Sequence, residues 1–572
     1  MMASPSARAL YEQHKAHLEA GLAACASRAY WSPFVESPSG KLHAPGRAEE
    51  GLARFQALLG KPYDLDQPGE TGRIGHEVSP YTGQPLGIDY PDCDPDVLFA
   101  AARRAMKGWQ ALDAEERAGI CFEMAFALEE QAFANAHATM HTAGQAYLMA
   151  FSGSGANALD RGVEALVYAY KALRDVPASA GWSKSFGRGG VVSLDKAYRT
   201  RGRGVAVVVC CATFPLWNAY PAVFANLMTG NPVILKPHPN GILPVAMAVT
   251  RMRETLIKAG LDPDMVLMAA DEREAPVTIA LLEHPDCAII DYTGSQRFGL
   301  WIEQNCRDRL VYTETAGCNG VVVESLADPD GMIGGLANGF CGFSAQMCTS
   351  PQNVHIPADG VGLPDGSSMS FEAFGQALVD TIAARTADPA RAAGLCGAVQ
   401  AQQSLDILAD IRSRVLAAGG RVVLESRAYA HPDFPDARTA TPLVVEVDAA
   451  QTELFGEELF APVCFLIREP DRDAALAHAA ELARTRGAIS SYLYSSDRDF
   501  IERAQDAFTD AGASLWINMD QRMPINFAAA YSDYHVTGLN PAGNACLADL
   551  AFVAQRFRIV QFREPRPAEA AQ

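Results

Sequence analysis

Short apolar strands alternate with helical segments through the middle of this chain of 572 residues. Val205 to Val209 is a run of β-branched residues and Ala, typical of a strand buried on both faces. Further strands are predicted at Val233 to Leu235, Val266 to Met268 and Ala288 to Tyr292, with helical periodicity between them. Such alternation favours a parallel sheet with crossover helices. A second alternation begins at Gly320, so we expect at least two α/β units.

Composition and charge exclude several classes of partner. Apolar residues make up 49% and charged residues 20%, as in ordinary globular proteins, and the net charge is −20. An acidic chain is a poor ligand for nucleic acid. The 13 cysteines include no C-x-x-C pair, which favours free thiols in a reducing compartment. Met1 to Leu22 lacks the apolar stretch of a signal peptide, and the apolar run Val205 to Leu216 is too short to cross a bilayer, so we expect a cytoplasmic protein with no membrane partner.

A thiol and a carboxylate stand at a suggestive spacing, since Cys348 follows Glu314 by 34 residues. A thiolate can attack an aldehyde carbonyl and give a thiohemiacetal that releases a hydride. A carboxylate can then act as general base on the water that frees the acid from the thioester. An isolated Cys is more often a small buried hydrophobe, so the pair gains meaning only from its context.

Two motifs lie where α/β proteins bind nucleotides. Gly294 and Ser295 follow a predicted strand and precede a helical run, and a helix N-terminus favours phosphate, although a simple βα turn explains them equally well. Lys236 ends a strand, where nucleotides bind in open α/β sheets, although a surface Lys is as consistent. Gly153 to Ala158 has dinucleotide-fingerprint spacing but follows a helix, so it is interpreted as a helix break.

No metal site is predicted. His137 and His141 stand four residues apart on one helical face, but no Cys or carboxylate completes a ligand set.

The order of these motifs resembles the aldehyde dehydrogenase superfamily from roughly Ser79 to Phe562. The matching stretches are Thr213-Phe214-Pro215-Leu216, Thr229-Gly230-Asn231 through Leu235-Lys236-Pro237, Tyr292-Thr293-Gly294-Ser295, Glu314, Gln346-Met347-Cys348, and Glu458 through Val463. The resemblance implies an α/β fold with a Rossmann-like cofactor domain, an α/β catalytic domain and a bridging strand segment used for oligomerisation.

The same resemblance implies a division of the chain and an oligomeric state. Residues 1–70 form an N-terminal extension, and 71–318 the cofactor-binding domain with a bridging hairpin near 185–203. Residues 319–520 form the catalytic domain, and 521–572 a C-terminal return and oligomerisation segment in which Phe552 to Phe562 alternates like a strand. A homodimer or larger homo-oligomer follows.

The resemblance also assigns roles to individual residues. Cys348 becomes the nucleophile and Glu314 the deacylation base. The positions that hold the cofactor are Lys236 for the adenosine ribose, Gly294 and Ser295 for the pyrophosphate, and Glu458 and Phe460 for the nicotinamide ribose and ring.

Three positions depart from the family pattern. Thr213 stands where the family has an Asn that stabilises the oxyanion, and Asn218 follows a Trp as that Asn does but five residues later. A Thr hydroxyl can donate one hydrogen bond, so Thr213 is the predicted oxyanion donor. Ala345 replaces the usual Gly. Pro239 replaces an acid at the ribose site, which favours NADP, with NAD possible.

Within the superfamily, three short sequence segments resemble the PaaN/PaaZ branch of phenylacetate degradation. They are Tyr30 to Phe34, Thr213 to Pro221, and Lys236 to Pro239. This resemblance implies an aldehyde that is a CoA thioester, the ring-opened 3-oxo-5,6-dehydrosuberyl-CoA semialdehyde. A separate hydratase would open the ring, since the fused hydratase domain of some members has no counterpart here.

Two other functions compete with hydrolytic aldehyde oxidation. A CoA-acylating dehydrogenase of the same fold usually lacks the base, so Glu314 argues against it. A catalytically weak scaffold or binding protein is favoured by Thr213 and Ala345 and opposed by Cys348 and Glu314.

Overall fold

The computed structural model describes residues 6–315, 317–522, 526 and 528–566. The helices in these ranges are α1 Ala7–Ser27, α2 Arg47–Leu58, α3 Pro95–Trp109, α4 Ala114–Glu129, α5 Ala132–Ala143, α6 Tyr147–Phe151, α7 Asn157–Arg174, α8 Ala219–Met228, α9 Ile242–Lys258, α10 Thr278–Glu283, α11 Gln296–Asn305, α12 Pro329–Cys341, α13 Phe371–Thr386, α14 Pro389–Cys396, α15 Gln402–Ala417, α16 Thr452–Phe455, α17 Arg472–Arg486, α18 Arg498–Asp510 and α19 Leu550–Ala554.

The strands in the same ranges are β1 Glu70–Ile74, β2 Tyr90–Cys93, β3 Ser179–Ser185, β4 Val191–Gly202, β5 Val205–Val209, β6 Val233–Lys236, β7 Val266–Met268, β8 Cys287–Gly294, β9 Leu310–Thr315, β10 Gly320–Val323, β11 Asn353–Pro357, β12 Val361–Gly362, β13 Ser368–Met369, β14 Arg421–Leu424, β15 Leu443–Asp448, β16 Val463–Glu469, β17 Ser490–Tyr494, β18 Ser514–Ile517 and β19 Phe557–Pro565. Every strand predicted from the alternation between residues 205 and 292 is confirmed.

A parallel five-stranded sheet in the order β7-β6-β5-β8-β9 forms the first α/β unit. Its central strands are fully buried because helices cover both faces, as their β-branched composition predicts. Lys236 ends β6, Gly294 ends β8, and Glu314 pairs with Thr293 near the end of β9. The parallel direction therefore brings these three residues to one edge of the sheet.

The second α/β unit is a seven-stranded sheet in the order β14-β15-β16-β11-β10-β17-β18. All neighbours are parallel except the edge pair β14 and β15. Cys348 lies in the segment between α12 and β11, close to Asn319, which precedes β10. The two α/β units expected from the sequence are present, and their facing loops hold the site.

A three-stranded antiparallel sheet in the order β19-β4-β3 extends from the first unit. The hairpin begins at Ser179, earlier than predicted, and the stretch predicted as one strand from Phe552 starts as helix α19 before β19. Between them the buried guanidinium of Arg556 donates to Asp291 at 2.6 and 2.8 Å, which fixes the C-terminal segment on the first sheet.

The predicted division into domains and the oligomerisation role stay predictions. The three-stranded sheet exposes apolar side chains, as a contact between two copies of the chain requires. They are Val191, Val192, Ile559, Val560 and Phe562. Parts of the predicted terminal segments lie outside the described residues, namely 1–5, 523–525, 527 and 567–572.

The N-terminal segment belongs to the main core. Leu10 and Leu18 of α1 are buried against α4 and α7, and α4 begins with a capping box formed by Asp113 and Glu116. The glycine-rich segment interpreted as a helix break is instead a π-helical turn, Ser152–Ala156, so the chain continues from α6 into α7. None of the described helices is long and apolar enough to cross a membrane.

Candidate active site

Two cavities meet at Cys348. The main cavity, about 510 Å³, lies between the two sheets and is lined by all eight predicted site residues: Thr213, Lys236, Gly294, Ser295, Glu314, Cys348, Glu458 and Phe460. A second, apolar cavity of about 450 Å³ opens on the other side of Cys348. Phe214, Asn218 and Cys348 line both cavities, so the thiol lies at the boundary between them.

Glu314 is a buried carboxylate, with 2% of its surface exposed. Its Oε1 accepts a hydrogen bond from Asn218 Nδ2 at 2.6 Å and lies 3.1 Å from His535 Nε2. Its Oε2 has no hydrogen-bond partner within the part of the chain that the structure describes. A buried carboxylate with one free oxygen can accept a proton from water, which is the role predicted for a general base.

His535 lies between the predicted nucleophile and the predicted base. Its Nε2 is 3.5 Å from Cys348 Sγ and 3.1 Å from Glu314 Oε1. Its Nδ1 is 3.4 Å from Asp533 Oδ2, and its ring packs against Trp217 with centroids 4.6 Å apart. Burial acts to lower the pKa of His535, but Glu314, Cys348 and Asp533 override it and hold that pKa well above its ordinary value.

The chain behind His535 is fixed by a buried ion-pair network. Arg161 of α7 forms an ion pair with Asp533 and donates to Glu164 at 3.0 Å. Arg28 of the N-terminal segment donates to Glu164 at 2.6 Å and to the Asp533 carbonyl at 2.8 Å. Burial acts to raise the pKa of Asp533, but Arg161 overrides it, so that pKa lies below its usual range and the carboxylate stays charged.

The loop that carries Cys348 is strained. Phe343, Ser344 and Ala345 all adopt left-handed backbone with φ of 49°, 50° and 52°. A left-handed backbone favours the Gly expected at position 345, and the side chain of Ala345 costs about 1–2 kcal/mol in this conformation. Nothing in the structure explains the replacement of that Gly by Ala. Asn319 Nδ2 donates to the Cys348 carbonyl at 2.7 Å and fixes the end of the loop.

The thiol of Cys348 is only partly accessible. Burial raises its pKa, and the neighbouring His535 acts in the opposite direction. The chemistry of the thiol therefore depends on which charges surround it.

Thr213 and Asn218 differ in what they already bind. The Thr213 carbonyl accepts a hydrogen bond from Gln145 Nε2 at 2.6 Å, which fixes this loop, and the residue lines the main cavity with Cys348. The Asn218 amide uses one of its two N–H groups to donate to Glu314 Oε1. Both residues line the main cavity with Cys348, and the assignment of Thr213 as the oxyanion donor stays a prediction.

The other end of the main cavity fits a dinucleotide. Ser295 is the N-cap of α11, and its side chain makes no capping hydrogen bond, so its hydroxyl and the free N–H groups of the helix can meet a phosphate. Burial raises the pKa of Glu458 to about 8, which suits a carboxyl group that hydrogen-bonds ribose hydroxyls.

The acid that Pro239 replaces has a counterpart elsewhere in the chain, because another carboxylate faces Lys236. Lys236 Nζ lies 2.6 Å from Asp271 Oδ1, and both side chains are buried. Asp271 follows β7, the strand next to β6, so it approaches from the neighbouring strand and not from position 239. Sequence counting could not find it, since strand order decides which loops are adjacent.

The residues that the sequence interpretation missed are His535, Asp533 and Arg161. His535 lies 187 positions from Cys348, and no motif surrounds it. Its one local signal is the Asp533-x-His535 spacing, which is too common to predict a site.

A group of potential metal-ligand side chains lies on and beside the seven-stranded sheet. Glu469 Oε1 is 2.7 Å from His355 Nδ1 and 2.8 Å from His478 Nδ1, and this set could hold a metal ion. Both Nδ1 atoms are hydrogen-bonded to the carboxylate, and His355 Nε2 has no partner among the described residues. The absence of a metal stays a prediction.

The aldehyde dehydrogenase family profile matches residues 69–532. The crystal structure of an NAD-dependent aldehyde dehydrogenase from Burkholderia multivorans is 41% identical, covers 98% of this chain and 100% of its own, and superposes with a TM-score of 0.95. The N-succinylglutamate 5-semialdehyde dehydrogenase of Burkholderia ambifaria is 26% identical over 68% of this chain and 74% of its own length. The 1-pyrroline-5-carboxylate dehydrogenase of Bacillus thuringiensis is 27% identical over 53% of this chain. The match covers 56% of that relative's own length.

The chain therefore belongs to the aldehyde dehydrogenase family. It has the fold of that family, as predicted, and is an enzyme.

We expect Thr213→Val to slow the first turnover of aldehyde by about a hundred- to a thousandfold, because it removes an oxyanion donor and keeps the shape. Asn218→Ala should cost less and act mainly on steady turnover, since its amide binds Glu314. Stopped-flow measurement of the burst of reduced nicotinamide separates the two steps. The reverse ranking would identify Asn218 as the oxyanion donor.

Proposed function

We propose that this protein is a hydrolytic, NAD-dependent aldehyde dehydrogenase that oxidises an uncharged, largely apolar aldehyde to its carboxylate. The observation that supports this most is the position of Cys348, at the boundary of an apolar cavity and a cavity suited to a dinucleotide. Beside it lies Glu314, a buried carboxylate whose Oε2 has no hydrogen-bond partner among the described residues. Together they supply a nucleophile, a base and separate places for two reactants.

The proposed reaction begins with Cys348. The thiolate attacks the aldehyde carbon, and the new oxyanion takes hydrogen bonds from the Thr213 hydroxyl and the Cys348 backbone N–H. A nicotinamide cofactor, when bound in the main cavity, accepts the hydride. Lys236 and Ser295 are placed to hold its adenosine and phosphate end, and Glu458 and Phe460 its nicotinamide end.

The second half of the reaction requires Glu314. Its Oε2 takes a proton from water, and the resulting hydroxide attacks the thioester carbon and expels the Cys348 thiolate with the carboxylic acid as product. Asn218 and His535 bind Oε1 and orient the carboxylate. A base with a free oxygen argues against the CoA-acylating and scaffold alternatives, in which no water needs activation.

The apolar cavity suggests the substrate class. Its walls include Leu148, Met149, Trp217, Met347 and Leu395, and its charged lining residues are Glu36 and the imidazole of His535. No Lys or Arg is among the lining residues described. The imidazole of His535 is already paired with Glu314 and Asp533, so a carboxylate on the substrate finds no unpaired cation among these residues. The proposed uncharged substrate differs from the compounds in the names of two relatives, N-succinylglutamate 5-semialdehyde and 1-pyrroline-5-carboxylate, which carry carboxylates.

The CoA semialdehyde of phenylacetate degradation is the second candidate substrate, supported by the local texts such as Thr213 to Pro221. Its aliphatic acyl chain is compatible with the apolar cavity. The phosphates of CoA meet no Lys or Arg among the described lining residues, so the nucleotide part would remain outside. A separate hydratase would supply this substrate.

A panel of aldehydes tests the substrate class. Octanal and phenylacetaldehyde should be oxidised with kcat/KM at least about a hundredfold above that of succinic semialdehyde. This ratio corresponds to about 2.7 kcal/mol, and burying the unpaired carboxylate of succinic semialdehyde costs at least that much. Formation of reduced nicotinamide at saturating NAD is the measurement. A preference for succinic semialdehyde contradicts the proposal, and a still higher kcat/KM for the hydratase-generated CoA semialdehyde selects the second candidate.

Glu314→Gln should give one burst of NADH without steady turnover. Gln keeps the size and can hydrogen-bond, but it cannot accept a proton from water. Mass spectrometry should find an acyl group on Cys348, and the matched variant Cys348→Ala should show neither burst nor adduct. Steady turnover at the rate of the unmodified enzyme would refute the assignment of the base.

The contact between Lys236 and Asp271 supports NAD over the NADP expected from Pro239. A buried carboxylate repels a 2′-phosphate and can accept a hydrogen bond from a free 2′-hydroxyl. Arg273 also lines the main cavity, so one cation remains near this end and NADP binding is weakened, not abolished.

Replacing Asp271 with Asn should therefore raise the ratio of kcat/KM for NADP to that for NAD by about tenfold or more, since the repulsion is lost. The matched control is Glu272→Gln, because this neighbouring acid pairs with His76 at 2.9 Å, whereas Asp271 pairs with Lys236 of the main cavity. Initial rates with both cofactors give the ratio. An unmodified enzyme that prefers NADP would contradict the assignment.

A further inference from the structure

One buried histidine in the active site has no part in the reaction described above except to bind Glu314 Oε1. The Nε2 atom of His535 lies 3.5 Å from Cys348 Sγ, which is hydrogen-bonding distance for sulfur. The hydrolytic mechanism itself requires only a thiolate and a base. That mechanism therefore does not account for an imidazole in contact with the reacting sulfur.

Several contacts fix the ring in this position. Asp533 Oδ2 lies 3.4 Å from Nδ1, and the Trp217 ring packs against the imidazole. The backbone of His535 is left-handed, with φ of 68°, a conformation that costs energy for a residue other than Gly. The ion pairs of Asp533 hold this unfavourable backbone in place. Such strain indicates that the orientation of the His535 ring serves a function and is not a by-product of core packing.

The groups around the imidazole make its positive form favourable. Two carboxylates, Glu314 and Asp533, approach its two nitrogens, and Arg161 on α7 balances Asp533 and not Glu314. The titratable or charged groups that influence Cys348 and His535 from all neighbouring elements are Glu314, Glu458, Asp533, Arg161, Cys211, Tyr492 and Cys546.

We propose that His535 is a further catalytic residue, which maintains the reactive thiolate of Cys348 as an imidazolium–thiolate ion pair. The Sγ–H proton moves to Nε2, or is lost to solvent when Nε2 already carries a proton, and the electron pair left on sulfur attacks the aldehyde carbon. His535 keeps its proton while the carbon–sulfur bond exists. When hydrolysis breaks that bond, the returning thiolate finds the same cation.

This inference rests on the proposed function of Cys348 as nucleophile, but its chemistry is separable from turnover. Burial raises the pKa of the thiol, and His535 opposes that effect. Removing the imidazole should therefore raise the thiol pKa further. Below that pKa the thiolate fraction, and with it the reactivity of Cys348, should fall.

The test is the pH dependence of alkylation of Cys348 by iodoacetamide, without aldehyde or cofactor. The rate is followed for the Cys348 peptide by mass spectrometry, since 13 cysteines are present. In His535→Gln the midpoint of the rate profile should move to higher pH, and alkylation at pH 7 should be about tenfold slower or more. His137→Gln is the control, because His137 lies on α5 against Phe55, outside both cavities.

Asp533→Asn is the second variant, which keeps the imidazole and removes one carboxylate facing it. It should shift the profile in the same direction by a smaller amount, and circular dichroism should show that both variants are folded. A profile for folded His535→Gln that superimposes on that of the unmodified enzyme overturns the inference, and an unshifted Asp533→Asn profile does so if His535→Gln does not fold. If His535→Gln loses NADH formation while the pH profile of Cys348 alkylation is unchanged, His535 acts only through Glu314 and the inference is wrong.

Discussion

The buried carboxylate of Glu314 is the interaction on which the active site depends. A carboxylate almost excluded from water is unfavourable unless donors reach it, and here they come from distant parts of the chain. Asn218 precedes α8, and His535 belongs to the segment after β18. One charged group on β9 therefore holds together three segments that otherwise share no element, and the thiol of Cys348 lies beside this junction.

A second layer of charge makes that junction stable. Asp533 faces His535 and is itself paired with Arg161, whose other partner, Glu164, also binds Arg28. Each buried charge has an opposite charge within reach, which is the condition under which burial is tolerable. Because Arg28 belongs to the N-terminal segment, that segment is part of the active-site support rather than an appendage. Glu36 extends the same segment to the wall of the apolar cavity.

The substrate and cofactor sides of Cys348 differ in character for reasons of topology. The main cavity lies at the carboxyl edge of the parallel sheet, where β6, β8 and β9 end with Lys236, Gly294 and Glu314 nearby. The apolar cavity is built mostly by helices and connecting loops, among them the π-helical turn before α7. Strain in the loop at Phe343 to Ala345 turns the chain so that Cys348 reaches the boundary between them.

The sequence by itself determined the parts that depend on local pattern. Buried strands such as Val205–Val209, the capping box at Asp113 and the order of the family motifs follow from neighbouring residues, and the α/β fold and the set lining the main cavity were predictable from them. Strand ends were harder, as at Phe552, where a short helix precedes the strand, because packing overrides a weak two-residue period.

Only the tertiary structure decided which charges meet. Asp271 reaches Lys236 because β7 lies beside β6, and His535 reaches Cys348 across 187 positions because the chain returns to the first sheet, where Arg556 binds Asp291. Electrostatic energy depends on distance in space and on burial, and neither is encoded in a local motif. The nucleophile and the base were therefore visible in the sequence, and the groups that set their charge were not.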